Sequence, residues 1–255
     1  MKRETVTSAH NPLLVHLKKL LAARSYREAC GEFAADGTKL LEEAAKWYPG
    51  LETVVVQTGV ELCPLPEHVR VVEIPESLMR SVSQMEAPQG AIFICRLPEA
   101  RPAALRPGTL LLDGIQDPGN LGTILRTADA LEVPVVLLDG CADAYNPKTV
   151  RATMGAVFRT QPVRMTRAVA VQSCRAAGIP LLATAMSADA VDLRKKNLSG
   201  CAVVIGSEGR GVSAELFAAA DGKIIIPMNP RCESLNAAIA AAVLLWEAYR
   251  AEEGN

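Results

Sequence analysis

Near-continuous apolar runs recur through the second half of the chain: Thr109–Leu112, Val133–Leu138, Leu181–Ala185, Ala202–Ile205 and Ile224–Ile226. A strand that is apolar on every residue is buried on both faces. Stretches of helical period lie between these runs. Leu121–Leu131 puts Leu121, Ile124, Leu125, Ala128 and Leu131 on one face, and Leu235–Arg250 reads as a long closing helix. Strands covered on both faces and separated by helices call for a parallel sheet, so the expected class is α/β. A length of 255 residues permits one or two domains. With 49% hydrophobic and 22% charged residues, the chain is neither disordered, nor a coiled coil, nor collagen-like.

The first half has the same ingredients in shorter form. Leu13, Leu14, Leu17, Leu20 and Leu21 have helical spacing, with Pro12 in the first turn and Asn11 as cap. A second helix is expected over Thr38–Trp47, capped by Thr38 and stopped by Pro49-Gly50. The runs Thr53–Val56, Val69–Val72 and Ala91–Ile94 read as strands. Pro98, Pro102 and Pro107 then fall in a stretch without apolar period, the best boundary in the chain. The expected division is a small α/β domain over 1–97, a linker over 98–108 and a larger domain over 109–255.

Several functions are disfavoured. The seven cysteines are spread without any CxxC, and the histidines, His10, His16 and His68, all lie in the first third. No metal site is expected, and the thiols read as reduced. The longest charge-free apolar stretch, Ser234–Trp246, is shorter than the ~20 residues of a membrane span. The N-terminal residues have no signal-peptide pattern, so a cytoplasmic protein is expected. Net charge is −1, yet Lys2, Arg3, Lys18, Lys19, Arg24 and Arg27 face only Glu4 in the first 27 residues. Such a basic stretch can supply phosphate contacts, and a solvated helix face explains it equally well.

Ligands of open α/β sheets bind beyond the carboxyl ends of the strands, where three loops stand out. The first, Asp113–Asn120, ends with Asn120 as a candidate helix cap, and Arg126 follows two turns later in an apolar stretch. A buried arginine there would need a partner. The second, Gly206–Gly211, reads GSEGRG, and its glycines allow close backbone approach to a ligand. Its spacing is not GxGxxG, and no GxxxxGK[ST] exists, so dinucleotide and nucleoside-triphosphate binding are disfavoured. Glu208 inside it is either functional or a surface charge. The third, Pro227–Asn236, offers Ser234 and Asn236 as helix caps or site residues. Leu235, Ile239, Val243 and Trp246 form one apolar line at helical spacing, most simply explained as core. With no histidine after His68, no Ser-His-Asp or Cys-His set can form in this half. The residues alone do not name a reaction.

Taken together, Asn120-Leu-Gly-Thr-Ile-Leu-Arg126, Val204-Ile-Gly206-Ser-Glu208-Gly-Arg-Gly, and Ile226-Pro-Met-Asn-Pro-Arg-Cys-Glu-Ser234-Leu235-Asn236 resemble the three motifs of the SpoU (TrmH) branch of the SPOUT methyltransferases. The likeness covers roughly residues 109–250. It implies transfer of a methyl group from S-adenosylmethionine to a ribose 2′-hydroxyl of RNA, a C-terminal trefoil knot around a parallel sheet, and a homodimer through the C-terminal domain. The first domain is similar to the ribosomal-protein-like substrate-binding domain of two-domain members, through the run Gly31–Ala44. That favours 23S ribosomal RNA; a transfer-RNA methyltransferase and a non-catalytic RNA-binding assembly protein are the alternatives.

Carried over by motif, Arg126 activates the hydroxyl, while Asn120, Glu208, Ser234 and Asn236 position it and the ribose. Gly206, Ile226 and Leu235 contact the methyl donor, with Thr184 and Ala185 as further neighbours. Lys18, Lys19, Arg24 and Arg27 are the RNA-binding candidates. Arginine as a literal base conflicts with its pKa above ~12. The preferred reading is that Arg126 grips a phosphate and orients the hydroxyl.

Overall fold

A computed structural model describes residues 3–99 and 105–253. The chain forms two compact units, residues 1–99 with 145–159, and residues 100–144 with 160–255.

The first unit begins with β1 (Arg3–Thr5), α1 (Pro12–Ala22), α2 (Arg24–Cys30), β2 (Glu32–Asp36) and α3 (Thr38–Trp47). It continues through β3 (Leu51–Gln57), β4 (Arg70–Ile74), α4 (Glu76–Val82) and β5 (Ala91–Arg96). Its mixed sheet has the order β1-β4-β3-β5-β2. Asn11 caps α1 by accepting from the Leu13 amide, and Leu14, Leu17, Leu20 and Leu21 pack onto Val55, Val72, Ile92 and Ile94. The cap of α3 differs from expectation. Gly37 holds that position at φ 129°, and the Thr38 amide and hydroxyl both donate to Gln89 Oε1. One RNA-binding candidate is corrected outright. Arg27 is only 2% exposed, and its Nη1 donates to the Leu20 carbonyl at 2.7 Å, near the end of α1. A cation buried against a helix terminus is a packing element and has no reach to a phosphate. Lys18, Lys19 and Arg24 are exposed, with Arg24 paired to Glu28.

The second unit opens with β6 (Leu110–Asp113), α5 (Pro118–Ala130) and β7 (Val135–Leu137). The chain then returns to the first unit as α6 (Pro147–Thr153) and α7 (Ala156–Arg159). These residues were expected to stay with the larger domain. Aromatic packing explains the excursion: Phe158 lies 5.6 Å from Tyr48 and 6.0 Å from Phe93 between ring centroids, and Tyr145 lies 4.8 Å from Phe33. Aromatic burial of this kind is large and favours such tilted pairs. The boundary stretch also differs in part. Residues 100–104 of the expected linker lie outside the described residues, whereas Leu105 is buried in the second unit and the Gly108 amide donates to Cys201.

The remaining elements are β8 (Val163–Arg164), α8 (Arg167–Ala177), β9 (Leu181–Thr184), β10 (Val191–Asp192), β11 (Ala202–Gly206), α9 (Ala214–Ala219), β12 (Gly222–Ile225) and α10 (Ala237–Glu253). The sheet order is β10-β12-β9-β11-β6-β7-β8, and every pair is parallel. The expected parallel sheet is thus present. The chain leaving β9 runs outward to β10 before coming back to β11, and β12 lies between β9 and β10.

The closing helix reverses one expectation. α10 lies along α5 and buries Ala237, Ala238, Ala241, Leu244 and Leu245. Most of the line expected in the core faces outward instead: Ile239 is 55% exposed and Trp246 56%, with Leu235 exposed as well, while Val243 is half-buried. The alanine side is the one narrow enough to approach a neighbouring helix closely. All seven cysteines are free, and no described helix is long and apolar enough to cross a membrane.

Candidate active site

The three polar loops converge at the carboxyl ends of β6, β11 and β12. Gly206, the last residue of β11, lies opposite Asp113, the last of β6. The Asp113 carboxylate is 2% exposed and fully engaged. Oδ1 accepts from Arg167 Nε at 2.7 Å, and Oδ2 accepts from the Ser213 amide at 2.7 Å. The loop between Gly206 and Ser213 is therefore pinned at both ends. Its tip closes on itself through two backbone bonds between Ser207 and Gly211. A Cβ on Gly206 would sit 1.9 Å from the Gly211 carbonyl carbon and 2.0 Å from the Val212 nitrogen. Sequence reasoning took this glycine to leave space for a ligand. The structure gives a stronger reason: the loop's own backbone crosses there.

A cavity of about 410 Å³ opens beside this loop. Thr184, Ala185, Gly206, Ile226 and Leu235 all line it, as do Glu208 and Ser234. Ile226 stands just past β12, and Leu235 just before α10. Three further apolar wall residues were not singled out from the sequence: Met186 and Phe217 lie outside the motifs, and Met228 lies inside the third without a polar group to mark it.

Three of the polar candidates, Asn120, Glu208 and Asn236, form one chain of hydrogen bonds. Asn120 was expected to cap α5, but Asp117 does so by accepting from the Asn120 amide at 2.8 Å. This leaves the Asn120 side chain free, and its Nδ2 donates to Glu208 Oε1 at 2.7 Å. Asn120 Oδ1 in turn accepts from Asn236 Nδ2 at 3.0 Å. Asn236 Oδ1 accepts from the Ala238 and Ile239 amides, which makes Asn236 the cap of α10. The direction of the chain is fixed from one end. Backbone amides can only donate, so Asn236 must turn its oxygen to them and its nitrogen to Asn120. Asn120 then has only its own nitrogen left for Glu208. The carboxylate is held as an acceptor, coupled to the N-terminal end of a helix.

Ser234 makes no hydrogen bond among the described residues. Arg126 departs from expectation: it is exposed on α5, not buried, and has no ion pair or hydrogen bond among the described residues. The buried face of α5 is Leu121, Ile124, Leu125 and Ala128, and position 126 falls outside it. An exposed, unpartnered guanidinium is open to an anion brought from outside the chain.

Residues 107–246 match the SpoU rRNA Methylase family, and residues 11–92 match an MRM3-like substrate binding domain. The chain belongs to the SpoU rRNA methylase family. It is 34% identical over 94% of its length, and 97% of the relative's, to the 23S rRNA (guanosine(2553)-2′-O)-methyltransferase RlmP of Bacillus subtilis. It is 30% identical, over 95% of its length and 91% of the relative's, to the 23S rRNA (uridine(2479)-2′-O)-methyltransferase of Streptomyces viridochromogenes. Among solved structures, an AdoMet-bound rRNA methyltransferase from Sinorhizobium meliloti superposes with a TM-score of 0.85 at 30% identity, covering 97% of this chain and 98% of that one.

Three substitutions test this geometry. Gly206→Ala should lower thermal stability by roughly 6–12 °C, the upper range for overpacking, at a few degrees per kcal/mol. Gly209→Ala, whose added Cβ meets nothing within 4 Å, should leave the melting temperature within about 2 °C, so calorimetry of the pair separates crossing from mere flexibility. Asn236→Asp keeps an acceptor for the α10 amides but removes the donor to Asn120. It should melt close to the parent yet lose roughly 10²-fold or more in turnover, the scale of losing one positioned donor.

Proposed function

We propose that this chain transfers the methyl group of S-adenosylmethionine to a ribose 2′-hydroxyl of 23S ribosomal RNA. The observation that carries the reading is the cavity whose rim holds Glu208, coupled through Asn120 and Asn236, with Arg126 free on the adjoining helix. The donor fits that cavity: its volume is within the usual ~300–1,000 Å³ of small-molecule sites, and its walls are largely apolar. When bound, it supplies an electrophilic methyl group on a sulfonium. Gly206, Ile226, Leu235, Thr184 and Ala185 would hold it through backbone and apolar contacts. The chain's own task is at the hydroxyl, a poor nucleophile that must lose its proton as it attacks. Asn120, Glu208, Ser234 and Asn236 would position the ribose. Arg126 would grip the adjacent phosphate through two parallel hydrogen bonds and set the hydroxyl in line.

The same reading includes a homodimer formed by the C-terminal unit. Ile239 and Trp246, exposed on a helix whose other side is buried, support it; such a strip is costly to leave in water. Trp246 stacks on Tyr249 at 6.0 Å, which extends the apolar strip. The trefoil knot belongs to the reading too, supported by β12 lying inside the excursion that the chain makes from β9 through β10 to β11. Lys18, Lys19 and Arg24 would meet RNA phosphates. An rRNA substrate and free thiols favour the cytoplasm as the place of action.

Single-turnover methylation across pH tests Arg126. Both Arg126→Lys and Arg126→Ala should lose activity by roughly 10²-fold or more with donor affinity nearly unchanged, because lysine keeps the charge and loses the fork. Rate recovery by lysine at high pH would point to base catalysis instead. Near-normal turnover by Arg126→Ala would remove Arg126 from the reaction. Light scattering tests the dimer: the parent should be dimeric at micromolar concentration, and Ile239→Glu with Trp246→Glu should shift it to monomer.

A further inference from the structure

Among the described residues, only two charged residues line the cavity, Glu208 and Arg210, two positions apart on one tight turn. Opposite charges that close would ordinarily pair, but these do not. Glu208 gives Oε1 to Asn120, and the only hydrogen bond of Arg210 among the described residues is from its backbone amide to Ser207 Oγ at 3.3 Å. Its guanidinium is exposed, on a turn closed by the two Ser207–Gly211 bonds and anchored through Ser213 to the buried Asp113. A long flexible side chain on a mobile loop would be an unremarked surface charge; here the backbone that carries it is fixed from both sides.

We infer that Arg210 is a positioning residue for the RNA, binding a phosphate next to the target nucleotide at the rim of the cavity. This rests on the methyltransferase reading above. Charge decides between the two anions within reach, the RNA phosphate and the carboxylate of the donor. The donor carries a sulfonium and an ammonium against one carboxylate and is cationic overall, so an unneutralised guanidinium beside it is unfavourable. The RNA is a polyanion, and the planar fork matches a phosphate through two parallel bonds. Arg126 and Arg210 are then two separate cations, one on α5 and one on the β11 loop, for phosphates of the same strand.

The test is binding of an rRNA fragment to the full-length protein saturated with donor, over a salt series, with donor affinity measured separately by calorimetry. Arg210→Ala should weaken RNA binding by roughly tenfold at low salt and reduce the slope of log K against log salt by about one. Arg210→Lys should restore the slope but only part of the affinity. Donor affinity should stay within about twofold in both. Weaker donor binding with an unchanged RNA slope would assign Arg210 to the donor's carboxylate and overturn the inference. An unchanged slope and unchanged donor affinity would overturn it as well, leaving a solvated charge. Because the readout is binding, absence of methyl transfer by the parent protein would count against the proposed activity alone.

Discussion

A carboxylate with essentially no access to water organises the site. Asp113 ends a central strand, and its two oxygens take an arginine from α8 and a backbone amide from beyond the Gly206–Gly211 loop. A buried carboxylate is tolerated only when paired and hydrogen-bonded, so each partner is held as firmly as the charge requires. With Ser213 fixed, and with Gly206 pressed against the backbone of Gly211 and Val212, the loop has little freedom. The position of Glu208 follows from that loop, while the start of α10 orients Asn236, and Asn236 in turn orients Asn120 towards Glu208. The polar atoms of three separate motifs are thus set by one buried charge at the end of a strand and one helix terminus.

Much of this was legible in the sequence, for a physical reason. Parallel strands buried on both faces leave uninterrupted apolar runs, and the second sheet was readable from them. The three loops were conspicuous because glycine and polar residues there interrupt strong patterns. What escaped was whatever depended on a distant partner. Asn120 and Thr38 both looked like caps; Asp117 caps α5 and leaves Asn120 to Glu208, while Gly37 takes the cap position of α3 without a side-chain bond and Thr38 donates to Gln89. Arg27 belongs to a basic stretch, and only the fold shows its guanidinium turned onto Leu20. The apolar line of Leu235, Ile239 and Trp246 has core-like spacing, yet the alanines opposite it are the buried side. Periodicity finds an amphipathic helix but cannot say which of two apolar sides is covered when both exist. The short strands β1 and β10 carry no pattern long enough to register.

The excursion of Tyr145–Arg159 bears on how the chain is made. The rings of Phe33, Tyr48 and Phe93 come from the first hundred residues, yet Phe158 and Tyr145, which complete their cluster, are synthesised only after β6, α5 and β7 of the other unit. During synthesis from the N-terminus, the substrate-binding unit can pack its leucine-rich side but cannot cover this aromatic side when its own sheet is finished. It waits, with aromatic surface uncovered, while the first third of the methyltransferase unit leaves the ribosome. The two units are separable in space but interleaved in time: neither can be finished before the other has begun.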